Sequence, residues 1–166
     1  MPLRPPHRRL TLPSAADIAQ GSARTGRVRG IPSDNGGVEV WETREWFADY
    51  LEALNRHDLE AVRGLLHPAV RRAHLPAGAE AWVADLAELW HGFPDWQWKR
   101  IHLIVEDDRL AVHLRGGGAH TGSFGHMSPT RRRVNIASFA MYRLERGRIV
   151  EASGTDDPAQ ILLALG

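Results

Sequence analysis

His120-Thr121-Gly122-Ser123-Phe124-Gly125-His126-Met127-Ser128-Pro129-Thr130 joins two strongly alternating runs, 109–115 and 134–144. Alternation of apolar and polar residues is the signature of a half-buried strand. Gly122, Gly125 and Pro129 punctuate the segment between the runs as a loop. The stretch therefore reads as strand, loop, strand, with an ionisable His at a strand end, where a side chain can face a pocket.

Working outward, runs of 96–106, 109–116, 133–145 and 148–154 read as strands joined by hairpin-style connections at Asp107-Asp108 and Arg146-Gly147. Upstream, Trp46, Phe47, Tyr50, Leu51 and Leu54 recur at helical spacing and predict a helix over 42–56. Asp58 is placed to cap a short second helix carrying Leu59, Val62, Leu65 and Leu66, which Pro68 ends. A short strand is expected over 69–75. A third helix over 78–91 carries Trp82, Val83, Leu86, Leu89 and Trp90, and a terminal helix over 158–165 carries Ile161, Leu162 and Leu165. Helices followed by a meandering sheet make an α+β domain. Residues 1–37 hold six arginines and few large apolar side chains, and they are expected to form a basic extension, flexible or laid over a pocket or partner. The domain proper is expected over 38–166.

At 166 residues and 43% hydrophobic, the chain can build one core. A formal net charge of +1 argues against a nucleic-acid partner. The absence of cysteine removes disulfides, thiolate nucleophiles and cysteine-held metals, and fits a cytoplasmic protein. No apolar run reaches the roughly 18–20 residues of a membrane span. Arg8-Arg9-Leu10-Thr11-Leu12 has the start of a twin-arginine signal, but Pro13-Ser14-Ala15-Ala16-Asp17 stands where the apolar segment should begin, so no export is expected. No metal-ligand spacing, P-loop, GxGxxG or GxSxG is present, and neither metal nor cofactor is expected.

Strict period two along 96–106 puts Trp96, Trp98, Arg100, His102 and Ile104 on one face. Two tryptophans with Arg and His suit a pocket for a flat, oxygenated ligand. The alternatives are that Arg100 and His102 lie at the wet end of the strand, or that a bulge exchanges the faces. In the next strand Arg115 is read as facing water, and His113 is left open. Gly116-Gly117-Gly118 reads as a bend or bulge. Arg131-Arg132-Arg133 reads as a solvated turn, with an anionic or acyl-carrier contact as the alternative.

Four ordered motifs resemble the SnoaL-like polyketide cyclase family over residues 42–166. They are Tyr50-Leu51-Glu52-Ala53-Leu54-Asn55-Arg56-His57-Asp58-Leu59; Phe93-Pro94-Asp95-Trp96; Gly118-Ala119-His120-Thr121-Gly122 with Pro129-Thr130; and 142–151, followed by Leu165-Gly166. The resemblance implies the fold shared with ketosteroid isomerase and scytalone dehydratase: a cone-shaped barrel of curved, mixed or antiparallel sheet wrapped on three helices, with a short C-terminal helix.

It further implies a cofactor-independent cyclase acting on a hydrophobic small molecule, a polyketide-derived or prenylated aromatic. Asp157 stands at the position of the family's general base. His74 and His102 fall on pocket positions. His102 and His120 would polarise a carbonyl or protonate an opening oxygen, while Tyr50, Trp90, Trp98 and Arg100 would line the cavity. Both aldol closure and epoxide opening fit, the latter favoured because it needs an acid and a base together. A binding module without chemistry, or a hydratase or dehydratase, are the alternatives. The family implies a homodimer. The chain departs from the pattern at Ala152 and Ser153, where the family has a His-Trp pair, and at Arg131, where it has Gly.

Overall fold

The computed structural model describes residues 40–155 and 158–166. In chain order the elements are α1 Val40–Asn55, α2 Leu59–Gly64, β1 Leu66–Arg72, α3 Ala79–Gly92, β2 Gln97–Glu106, β3 Arg109–Ala119, β4 Arg133–Glu145, β5 Arg148–Gly154 and α4 Pro158–Leu165. The strands form one sheet in the order β1-β5-β4-β3-β2, with β1 parallel to β5 and every other pair antiparallel. The sheet is curved but unclosed, since β1 and β2 are edges that do not pair with each other. This gives the cone of the expected α+β fold without a closed barrel.

Local chemistry explains the elements. Phe47, Tyr50 and Leu54 form a buried stripe on α1, and Trp82, Val83, Leu86, Leu89 and Trp90 form one on α3. Asp58 Oδ1 accepts the Ala61 N–H at 2.9 Å and so caps α2. His57, at φ 56°, turns the corner before it and bonds the Trp96 carbonyl through Nε2 at 2.8 Å. Asp107 in one hairpin and Arg146-Gly147 in the other take the positive φ values that suit tight β-turns. Leu110, Val112 and Leu114 of β3 pair with Tyr142, Ala140 and Ser138 of β4 on the buried side.

Three expectations change. The first strand begins at Leu66, ahead of Pro68, rather than at residue 69. It is an edge strand, where a proline costs no essential ladder bond. The three glycines 116–118 are not a bend but part of β3, paired with Ile136, Asn135 and Val134. The faces of β2 exchange at a register shift between Arg100 and His102. A one-residue bulge reverses every side chain beyond it. Trp98 therefore packs inward, His102 and Ile104 face outward, and Leu103 and Val105 take over the core side. Among the described residues no helix is long and apolar enough to cross a membrane.

Candidate functional site

Between the helices and the inner face of the sheet lies a cavity of about 120 Å³. An engineered apolar cavity of about 150 Å³ takes benzene, so this space encloses about one ring, and a larger ligand extends to the mouth. Its walls are mostly apolar: Trp82, Leu86 and Leu89 from α3, Trp98 from β2, Leu114 from β3 and Ile136 from β4. Ala73, His74, Ser153 and Gly154 are lining residues that also reach solvent, and they mark the mouth. Pro158 and Ile161 of α4 cover another side.

The cavity has a polar corner. Arg72 Nη1 bonds Asp85 Oδ2 at 2.6 Å, and its Nε and Nη2 donate to the Pro76 carbonyl at 2.9 and 2.8 Å. The guanidinium also lies 5.4 Å from the Trp82 ring centroid. The Arg72 side chain is only 5% exposed and that of Asp85 35%, so the pair is half withdrawn from water. Ser138, on β4, is 1% exposed. Its Oγ has no hydrogen-bond partner among the described residues. A buried polar group left unpaired costs about 1–3 kcal/mol.

The sequence-derived site divides. Tyr50, His74 and Trp98 line the cavity. Tyr50 is buried, stacked on Trp46 at 5.5 Å and edge-on to Tyr142 at 6.0 Å. His74 holds a left-handed φ of 63° in the loop after β1. Trp98 packs edge-on against Trp96.

Trp90 is buried but turns away from the cavity wall and stacks on His57 at 4.5 Å. Arg100 is exposed beside a groove formed with α1. His102 lies on the outer face, Nδ1 to Nδ1 at 3.3 Å from His113. Asp157 lies outside the described residues; Pro158, next in the chain, lines the cavity.

His120 is fully buried and serves the loop rather than the cavity. Its Nδ1 accepts the Thr130 N–H at 3.2 Å, which leaves the proton of the neutral ring on Nε2. The ring stacks on Phe93, and its backbone bonds Arg131 and Arg132. Gly122 follows against the His91 carbonyl, where a Cβ would collide with backbone.

The arginine run after the loop is not simply solvated. Arg132 donates to the Leu165 carbonyl, and Arg133 pairs with Asp95 at 3.1 Å. The Asp95 carboxyl is held below the usual carboxylate range, first by the Ala119 N–H at 2.6 Å and then by Arg133.

Arg72, Asp85 and Ser138 are not among the residues that the sequence singles out, although two carry a signal. Asp85 falls on the apolar stripe of α3 with Trp82, Leu86 and Leu89. Ser138 interrupts the inward row Val134, Ile136, Ala140, Tyr142 and Leu144 of β4. Among the described residues no group of three or more His, Asp or Glu is placed to hold a metal ion.

An open five-stranded cone with helices across its inner face and an apolar cavity between them defines a small α+β domain built around a ligand-sized space. Solved structures share it. IdmH from Streptomyces antibioticus, a candidate polyketide cyclase, is 27% identical, with a TM-score of 0.61 over 74% of this chain and 97% of that one. AclR from Streptomyces galilaeus, a candidate hydroxylase, is 23% identical, with a TM-score of 0.68 over 76% and 97%. A SnoaL-like polyketide cyclase from Agrobacterium tumefaciens is 21% identical, with a TM-score of 0.63 over 74% and 97%. The latter two show the fold alone. No curated protein matches the sequence. The profile of the SnoaL-like polyketide cyclase family matches residues 44–165. The chain belongs to that family.

Proposed function

We propose that this protein is a cofactor-independent cyclase that closes a ring in a polyketide-derived or prenylated aromatic substrate by acid–base catalysis. The observation that carries the reading is the apolar cavity, with its few polar groups set among ring-sized walls, inside a domain of this family. Such a space folds a flexible substrate into a near-attack conformer and excludes water from it. Ala152 and Ser153, at the positions of the family's His-Trp pair, leave room on the cavity wall.

Asp157 is the proposed general base; the family motif and its place one residue before cavity-lining Pro158 support that role. His74, at the mouth, is the proposed proton donor in place of His102 and His120, which lie away from the cavity. In epoxide opening a substrate hydroxyl loses its proton to Asp157 and attacks an epoxide carbon. The C–O bond breaks, and the epoxide oxygen takes a proton from His74. In aldol closure the same base removes a proton alpha to a carbonyl. Epoxide opening is the first reaction to test, because it uses both groups.

The family also implies a dimer. An exposed apolar patch on the outer face of the sheet supports it: Ile104, Phe139 and Met141 are 67%, 55% and 51% exposed.

The test is incubation with a phenol bearing an ortho-prenyl epoxide, in ¹⁸O-labelled water without added metal or cofactor. A cyclic ether free of solvent label supports the proposal. A labelled diol indicates a hydratase, and binding without product indicates a binding module.

A further inference from the structure

We infer that Ser138 is a specificity-determining residue, whose hydroxyl receives a neutral oxygen, carbonyl or phenolic, on the ring that occupies the cavity. The inference rests on the reading of the cavity as the ligand site. Ser138 lines the cavity, is 1% exposed, and its Oγ has no hydrogen-bond partner among the described residues. The neighbouring inward positions of β4, Ile136 and Ala140, are apolar, and Leu114 is its cross-strand partner on β3. An alanine at 138 would complete an apolar wall and remove the burial penalty, so the hydroxyl is tolerated at the expense of the empty fold.

A serine hydroxyl both donates and accepts, so it pairs with a carbonyl, hydroxyl or ether oxygen. It supplies no charge. Of the basic groups on the cavity wall, Arg72 is already bonded to Asp85 and to the Pro76 carbonyl, and His74 stands at the mouth. The oxygen read at Ser138 is therefore neutral. Trp98, from β2, adds an aromatic side chain to the same cavity lining.

The test compares 1-tetralone with tetralin, two bicyclic probes that differ by one carbonyl, using the full-length protein, Ser138→Ala and the near-isosteric Ser138→Cys. Dissociation constants come from NMR titration and stability from thermal unfolding. Loss of one neutral hydrogen bond weakens tetralone binding to Ser138→Ala by about three- to tenfold. Tetralin binding stays within about twofold, and Ser138→Cys, a weak donor, falls between. The melting temperature of Ser138→Ala without ligand is equal to or above that of the wild type. Unchanged tetralone binding in Ser138→Ala, or equal weakening for both probes, overturns the inference while leaving the cavity reading intact. Ile136→Trp fills the cavity. If it binds both probes as the wild type does, or if the wild type binds neither, the cavity reading falls and the inference with it.

Discussion

The indole of Trp98 lies directly over Gly116, its cross-strand partner, so that a Cβ on Gly116 would be driven into the six-membered ring. The glycine lets β3 pass beneath an indole that forms part of the cavity wall. Gly116→Ala should lower stability by about 1–3 kcal/mol, the usual penalty for overpacking. It should also displace Trp98, so tetralin binding should weaken along with the melting temperature. Denaturant unfolding and NMR titration check both.

Arg72 and Asp85 form a pair only half screened by water. Asp85→Ala leaves a nearly buried guanidinium with the Pro76 carbonyl as its remaining hydrogen-bond acceptor and the Trp82 ring beside it. The expected loss is about 2 kcal/mol, below the roughly 3–5 kcal/mol of a fully buried pair. Arg72→Met with Asp85→Ala should be more stable than the sum of the single changes predicts, and a double-mutant cycle by urea unfolding measures the coupling.

Asp95 gives an acid dependence of known sign. Its carboxyl titrates below its ordinary value, so the folded state binds its proton less readily than the unfolded state. That contribution is complete above about pH 4 and is lost as pH falls through the folded value. Asp95→Asn should flatten the fall of stability with acidification in this window. Urea midpoints between about pH 5 and 2.5 check it.

The outer face of the sheet should be buried between two copies. Phe139→Glu places a charge in the patch formed with Ile104 and Met141. Light scattering should give twice 18.5 kDa for the wild type and 18.5 kDa for the variant, with the fold retained by circular dichroism.

Sequence periodicity located nearly every element, because the alternation of β3 and β4 and the helical stripes of α1 and α3 are set by burial that the fold preserves. It failed where a single residue changes parity. Ile101 sits at the β2 bulge, and no composition signal marks it, so strict alternation assigns His102 to the cavity side, whereas the bulge, the alternative to it, turns His102 outward beside His113. The polar residues of the cavity were hard to read for the opposite reason. Arg72 follows exposed Arg71 and looks like its neighbour, although the strand sends alternate side chains to opposite faces. Ser138 is small enough to pass as neutral in an apolar row. His120 stands out in the sequence as an ionisable residue at a strand end, yet its Nδ1 is taken by Thr130 and its ring by Phe93 in closing the loop, while Nε2 is buried without a hydrogen-bond partner among the described residues.

Ring closure is proposed to occur inside this cavity with Asp157 as base. Its most direct measurement is turnover of the ortho-prenyl epoxide phenol by the wild type, Asp157→Asn and the cavity-filling Ile136→Trp, followed by chromatography and mass spectrometry. The wild type should give a cyclic ether, and both variants should be at least about 100-fold slower, Asp157→Asn through loss of a general base and Ile136→Trp through loss of the space for the substrate. Product formed at the wild-type rate by Asp157→Asn and Ile136→Trp would contradict it.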